Sequence, residues 1–172
     1  CHSYEIEDIL IGCSFLKEMG YTVGLNLMQI STLLEDDVIS LSKKVDENGS
    51  VDVFYFADSL GSMMPNDIIH TINLIKKGWT GPMGIHTHDN LGQGLTNTMT
   101  ALDNNVHWLD STVTGMGRGP GNAKTEYLAV ELAERNKTDL NMGPLITVIN
   151  KYFKSLMKTY EWGTNPYYFL AG

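Results

Sequence analysis

The chain has 172 residues, an apolar fraction of 42% and a formal net charge of −8 at pH 7. This length is enough for one domain with a hydrophobic core, and the negative charge without a basic cluster argues against nucleic acid or anionic membranes as partners. No apolar run is long enough to span a bilayer, and the two cysteines, Cys1 and Cys13, fit a reducing cytoplasm, where we expect the protein to act.

Helical and strand-like spacings of apolar residues alternate along most of the chain. A helix is predicted over 5–19, and four units of strand followed by helix come after it. The predicted strands cover 21–28, 51–57, 82–85 and 107–113, and the helices cover 32–45, 65–77, 94–104 and 124–134, with Ser31 and Thr32 as the N-cap of the first. This alternation predicts an α/β fold with parallel strands and crossover helices over 1–136. The pattern then changes to one amphipathic helix over 145–160, so 137–172 are predicted to be a C-terminal helical extension.

Two histidines, His86 and His88, stand at the end of the third predicted strand. Side chains alternate between the faces of a strand, so both rings are expected on one face and Thr87 on the other. This spacing lets both imidazoles reach one ion at about 2.1 Å. Taken alone, the pair is equally typical of two structural histidines.

Further polar residues follow the ends of the other predicted strands. They are Gln29, Asp58 and a glycine-rich loop, 115–122, which ends in Asn122. The carboxyl ends of parallel strands meet at one edge of a sheet, so these residues are predicted to lie along the same rim as the histidines. Asp58 is either a turn cap or a carboxylate facing the site, and Asn122 either caps the next helix or offers its carbonyl oxygen to a cation.

Two longer stretches, Gly84–Gly92 and Leu109–Ala123, contain the histidine pair and the glycine-rich loop. In their order and spacing they resemble the DRE-TIM metallolyase superfamily of TIM barrels related to HMG-CoA lyase. The segments 1–5, 24–28 and 55–61 are most similar to its 4-hydroxy-2-oxovalerate aldolase branch. The resemblance covers about residues 1–135, and the absence of a cysteine from the glycine-rich loop argues against the lyase branch.

The resemblance implies that the four predicted strands are the fifth to eighth of a TIM barrel, that is, its C-terminal half. It implies that His86 and His88 bind a divalent cation, Mg²⁺ or Mn²⁺, and that Asn122 adds a ligand. The superfamily's first strand supplies an Arg-Asp pair, in which Asp is a metal ligand and Arg steadies an enolate. This pair has no counterpart in the chain.

The resemblance also places Asp58 near the substrate, as a catalytic or substrate-binding carboxylate. We add Gln29 and Gly117 as substrate-binding candidates, because they lie at the same predicted rim. Trp162, Tyr167 and Tyr168 are interpreted as packing residues.

The expected function is that of a divalent-metal-dependent aldolase acting on the C–C bond beside a 2-keto acid, with a keto acid and an aldehyde as small-molecule partners. One alternative is an acyl-CoA condensing synthase of the isopropylmalate or homocitrate synthase type. Another is a non-catalytic fragment or interaction domain. By itself the chain is expected to bind metal weakly and to be inactive. Because a half-barrel has open edges, we also expect it to pair with the N-terminal half of the barrel and to form homo-oligomers.

Overall fold

The computed structural model describes residues 1–167 as a four-stranded parallel sheet with the strand order β1-β2-β3-β4. The strands are β1 (Gly24–Leu27), β2 (Val53–Asp58), β3 (Met83–Thr87) and β4 (Trp108–Leu109). The helices are α1 (Ile6–Glu18), α2 (Glu35–Asn48), α3 (Pro65–Ile75), α4 (Gly94–Asp103), α5 (Thr125–Asn136), α6 (Gly143–Val148) and α7 (Lys154–Tyr160). The predicted α/β class with parallel strands is therefore confirmed.

The hydrophobic core lies between one face of the sheet and the helices. Leu27, Phe56 and Ile85 face one another across β1, β2 and β3, and all three are fully buried. Ile68 and Ile72 of α3 are also buried in this cluster. The β-branched and aromatic residues of β2 favour a strand, and burial of their apolar area is the main stabilising contribution.

The opposite face of the sheet is more polar. Strand alternation and register place Asn26, Tyr55, Gly84 and Trp108 in one row across this face. His86 stands in the next row towards the carboxyl ends of the strands, beside Ala57. Trp108 is 48% exposed, so a large apolar side chain on this face remains accessible to solvent.

Helix α2 begins later than predicted. Ser31 and Thr32 belong to a 3-10 turn, in which the Thr32 hydroxyl donates to the carbonyl of Gln29 at 2.9 Å, and Leu34 is the N-cap. The prediction of a Ser31 or Thr32 cap is wrong, because the left-handed backbone of Gln29 turns the chain into this extra turn first. Three acidic residues, Glu35, Asp36 and Asp37, stabilise the first turn of α2 through the helix dipole.

Strand β4 is shorter than the predicted strand over 107–113. Its pairing covers Trp108 and Leu109, and one further bond runs from the Asp110 amide to the carbonyl of Ile85 at 3.0 Å. The chain then leaves the sheet for a 3-10 turn at Val113–Gly115. Thr112 instead pairs with Lys124, at the start of the segment leading into α5.

The C-terminal segment forms a helical rod, in which a π-helical turn at Ile149–Phe153 joins α6 to α7. The packing prediction is confirmed for Trp162, which is 6% exposed, and is wrong for Tyr167, which is 82% exposed. Tyr168 lies outside the described residues. Residues 1–167 contain no helix that is both long and apolar enough to cross a membrane.

Candidate metal centre

His86 and His88 lie side by side where β3 ends. Their ring centroids are 5.2 Å apart, with the ring planes at 76° to each other, and both residues are half-buried. The two imidazoles therefore approach one another closely enough to share an ion on the polar side of the sheet.

Asn122 joins the histidines through the backbone. It forms an antiparallel bridge with His88, and the amides of Asp89 and Ala123 complete the contact by donating to Gly121 and Thr87 at 2.9 and 3.2 Å. The Asn122 side-chain amide donates to the carbonyl of Met116 at 3.2 Å. Its oxygen, Oδ1, is buried and has no hydrogen-bond partner among residues 1–167. A bound cation would satisfy such a buried oxygen, which lacks a hydrogen-bond donor.

Asp110 orients the first histidine, a role that the sequence analysis did not find. Its Oδ2 accepts a hydrogen bond from His86 Nδ1 at 3.1 Å. Such a carboxylate holds the proton on Nδ1 and leaves Nε2 as the free electron-pair donor. The strand register could have revealed this contact, because residues 84 and 108 are paired and residues 86 and 110 follow two positions later on the same face.

Tyr55 extends this polar group along the same face. Burial raises the pKa of the Tyr55 hydroxyl, and the charge of Asp110 and a hydrogen bond to it raise the pKa further. The Tyr55 ring lies over Gly84, where any Cβ atom would overlap it. The glycine in β3 therefore allows a tyrosine from β2 to reach towards Asp110.

The electrostatic environment keeps His88 neutral. Burial lowers the pKa of His88 to about 4, with smaller contributions from His86 and Arg118, which disfavour a further positive charge nearby. A histidine must be in its neutral form to bind a metal, and His88 is already in that form at neutral pH.

Asp58 does not join the histidines. It pairs in register with Thr87, on the helix-covered face, and is fully buried there. Its two carboxylate oxygens accept hydrogen bonds from the backbone amides of Ser62 and Met63 at 3.1 and 3.2 Å. Burial raises the pKa of Asp58 more than these amides lower it. These contacts support the turn-cap alternative, whereas the catalytic or substrate-binding role stays a prediction without a contact to carry it.

Gln29 and Gly117 occupy different parts of the rim. Gln29 has a left-handed backbone with φ 54°, and its amide donates to the Ser59 hydroxyl at 2.9 Å. Gly117 lies against Asn122, because a Cβ atom there would be 2.6 Å from Asn122 Nδ2. Gly117 thus leaves room for the asparagine side chain, and the substrate-binding role of both residues stays a prediction.

The candidate donor set is two imidazoles and one amide oxygen. Across residues 1–167, no group of three or more His, Cys, Asp and Glu side chains is arranged to hold a metal ion. Two imidazole nitrogens and one carbonyl oxygen are nonetheless acceptable ligands for a divalent cation such as Mn²⁺. The residues fit a cation that takes its remaining ligands from elsewhere.

Comparison with known proteins gives the family of this chain. The profile of the HMGL-like family matches residues 10–151. The chain therefore belongs to the HMGL-like family. Its curated relatives include 4-hydroxy-2-oxovalerate aldolase 2 of Rhodococcus jostii, which is 34% identical over 143 residues, or 83% of this chain and 41% of the relative. The corresponding aldolase of Roseiflexus sp. is 36% identical over 117 residues, 67% of this chain and 34% of the relative.

Solved structures agree with this assignment. The N-terminal domain of a provisionally named aldolase from Bacteroides vulgatus is 33% identical, with a TM-score of 0.91, and the match covers 100% of this chain and 57% of that one. HMG-CoA lyase of Bacillus subtilis has the same fold at 18% identity, with a TM-score of 0.76 over 96% of this chain and 59% of the lyase. These relatives place the chain in a family of aldolases, carbon–carbon lyases. The chain spans about two fifths of the length of the R. jostii relative.

Proposed function

We propose that this chain supplies one half of a divalent-metal-dependent aldolase barrel that makes or breaks the C–C bond beside a 2-keto acid. The observation that carries the proposal is the unpaired, buried Asn122 Oδ1 next to the half-buried His86 and His88. The aldolase names of the curated relatives support the reaction class.

The hydrogen bonds at the β1 edge support a larger barrel. The N-terminal amine of Cys1 donates to the carbonyl of Asn26 at 2.6 Å, and the amide of Met28 donates to the carbonyl of Cys1 at 2.8 Å. These two bonds place Cys1 opposite Leu27 in the pattern of a parallel strand pair. We assign β1 to β4 as the fifth to eighth strands of a TIM barrel, in which the polar face would line the interior. The N-terminal half of the barrel, or a further copy of the chain, would cover this face.

Each residue has a distinct role in this proposal. His86, His88 and Asn122 would hold Mn²⁺ or Mg²⁺, and Asp110 keeps Nε2 of His86 free to donate. When bound, the cation would supply Lewis acidity towards the oxygens of the keto acid. The complementary half would provide an anionic ligand and the general base, and the aldehyde would be the second substrate.

Titration of the chain with Mn²⁺ tests the metal site directly, with the concentration of free Mn²⁺ measured by electron paramagnetic resonance. We expect weak binding that is lost in His88→Gln and retained in His107→Gln, which alters an exposed histidine. Binding that is equal in both variants would contradict the assignment of the ligands.

Turnover tests the rest of the proposal. The isolated chain is expected not to convert pyruvate-type substrates, so robust aldolase activity from it would refute the half-barrel assignment. In a protein with both barrel halves, consumption of an aldehyde supports the aldolase. Consumption of acetyl-CoA with the keto acid would instead identify a condensing synthase.

A further inference from the structure

Three consecutive residues of the C-terminal extension bind the loops around the metal centre. Trp162 Nε1 donates to the carbonyl of Thr114 at 3.1 Å. The amide of Gly163 donates to the carbonyl of Gly119 at 3.0 Å, and the hydroxyl of Thr164 donates to Asp89 Oδ2 at 2.8 Å. We call residues 162–164 the strap.

The strap contacts two separate walls of the site. Asp89 directly follows His88 and is buried, and its other oxygen accepts a hydrogen bond from the Gly94 amide at 2.9 Å. We call this side of the site, which carries His86 and His88, the histidine wall. Gly119 belongs to the glycine-rich loop that ends in Asn122, and Thr114 directly precedes that loop; we call this side the asparagine wall. One short segment is thus hydrogen-bonded to both walls, which the backbone bridge between His88 and Asn122 also joins.

The conformation of the strap indicates that its path is set by these contacts. The backbone is left-handed at Glu161, with φ 53°, and Gly163 has φ 129°. A non-glycine residue in the left-handed region costs about 1 kcal/mol or more and persists where surrounding contacts hold it. The buried Trp162 ring and the three hydrogen bonds are such contacts. Residues 162–164 also lie beyond 10–151, the range that the family profile matches.

We propose that Trp162, Gly163 and Thr164 position the metal ligands by fixing the histidine wall against the asparagine wall. These are positioning residues, because they act through Asp89, Thr114 and Gly119 and not on a substrate. The metal-binding consequence rests on the proposed function, whereas the mechanical role can be tested without a metal.

Hydrogen exchange of the metal-free chain tests the mechanical role. Thr164→Val keeps the shape of the side chain but removes the bond to Asp89. The amides that join the two walls, those of Asp89 and Ala123, should then exchange about fivefold to tenfold faster, while the Val45 amide in α2 is unchanged. Thr164→Ser restores the hydroxyl and should restore the protection.

Thr159→Val is the matched control, because the Thr159 hydroxyl bonds only within its own helix, to Ser155 at 3.0 Å, as far as residues 1–167 show. It should leave the exchange of the inter-wall amides unchanged. Unaltered exchange at Asp89 and Ala123 in Thr164→Val overturns the proposal. An equal rise at Val45 overturns it as well, because the variant would then act through global stability.

Mn²⁺ affinity separates this inference from the proposed function. Where the wild-type chain binds Mn²⁺, Thr164→Val should weaken binding about fivefold while Thr159→Val does not, and equal affinities would count against positioning. Where the wild-type chain binds no Mn²⁺, the proposed metal site fails, and the exchange experiment still decides whether the strap holds the two walls together.

Discussion

His88 should make the fold sensitive to mild acid. Its pKa is lowered to about 4 in the folded chain, chiefly by burial, whereas an unfolded histidine titrates near 6.5. The unfolded chain therefore binds more protons between these values, so the free energy of unfolding falls as the pH falls from about 6.5 to about 4. The stabilisation is complete above the unfolded pKa and is lost by the time the folded pKa is passed.

The magnitude follows from the two pKa values. Taken at face value, they predict a loss of about 2 kcal/mol between pH 7 and pH 5. The His88 ring is only partly buried, so solvent screening reduces our expectation to about 1 kcal/mol. Urea unfolding at the two pH values measures this loss, which His88→Gln should abolish.

His107→Gln provides the comparison for this measurement, because His107 is exposed and lies before β4, away from the ligand pair. It should keep the wild-type difference between pH 7 and pH 5. A difference that persists undiminished in His88→Gln would refute the idea that burial of this ring carries the acid sensitivity.

Two further predictions concern the surroundings of the ligands. Asp110→Asn should weaken Mn²⁺ binding about tenfold or more, because it removes the carboxylate that orients His86. Asp58→Asn, on the opposite face, should leave the affinity unchanged. Metal titration of both folded variants checks this, and a loss of affinity in Asp58→Asn would restore Asp58 to the site. Gly121→Ala should lower the free energy of unfolding by about 2 kcal/mol, because φ is +86° and a Cβ atom would overlap the carbonyl oxygen of Gly115. Gly12→Ala, in α1 with open space around the Cβ position, should raise the free energy of unfolding by about 1 kcal/mol. Thermal unfolding of both variants measures these changes, and equal changes in the two would contradict the steric argument.

The periodicity of the sequence predicted which segments form strands and helices, because burial on one or both faces leaves a clear apolar pattern. It also predicted that His86 and His88 share a face, which needs only the alternation of side chains. It could not predict the cap of α2, where the left-handed Gln29 adds a turn before the helix. It also missed the strap, because hydrogen bonds from residues 162–164 to loops more than forty positions away leave no local pattern.

The positions of the acidic residues show how the alternation of side chains along a strand decides which carboxylate lies beside the candidate metal ligands. Asp58 shares the parity of Phe54 and Phe56 and therefore points into the helix-covered core, while Ala57 occupies the place beside His86. Asp110 follows Trp108 by two positions and therefore lies on the polar face, where it bonds His86. A shift of one residue in either strand would exchange the two faces. The carboxylate that ends β2 thus bonds to the loop that follows it. In the half-barrel proposal, an anionic ligand for the cation would therefore come from outside β2.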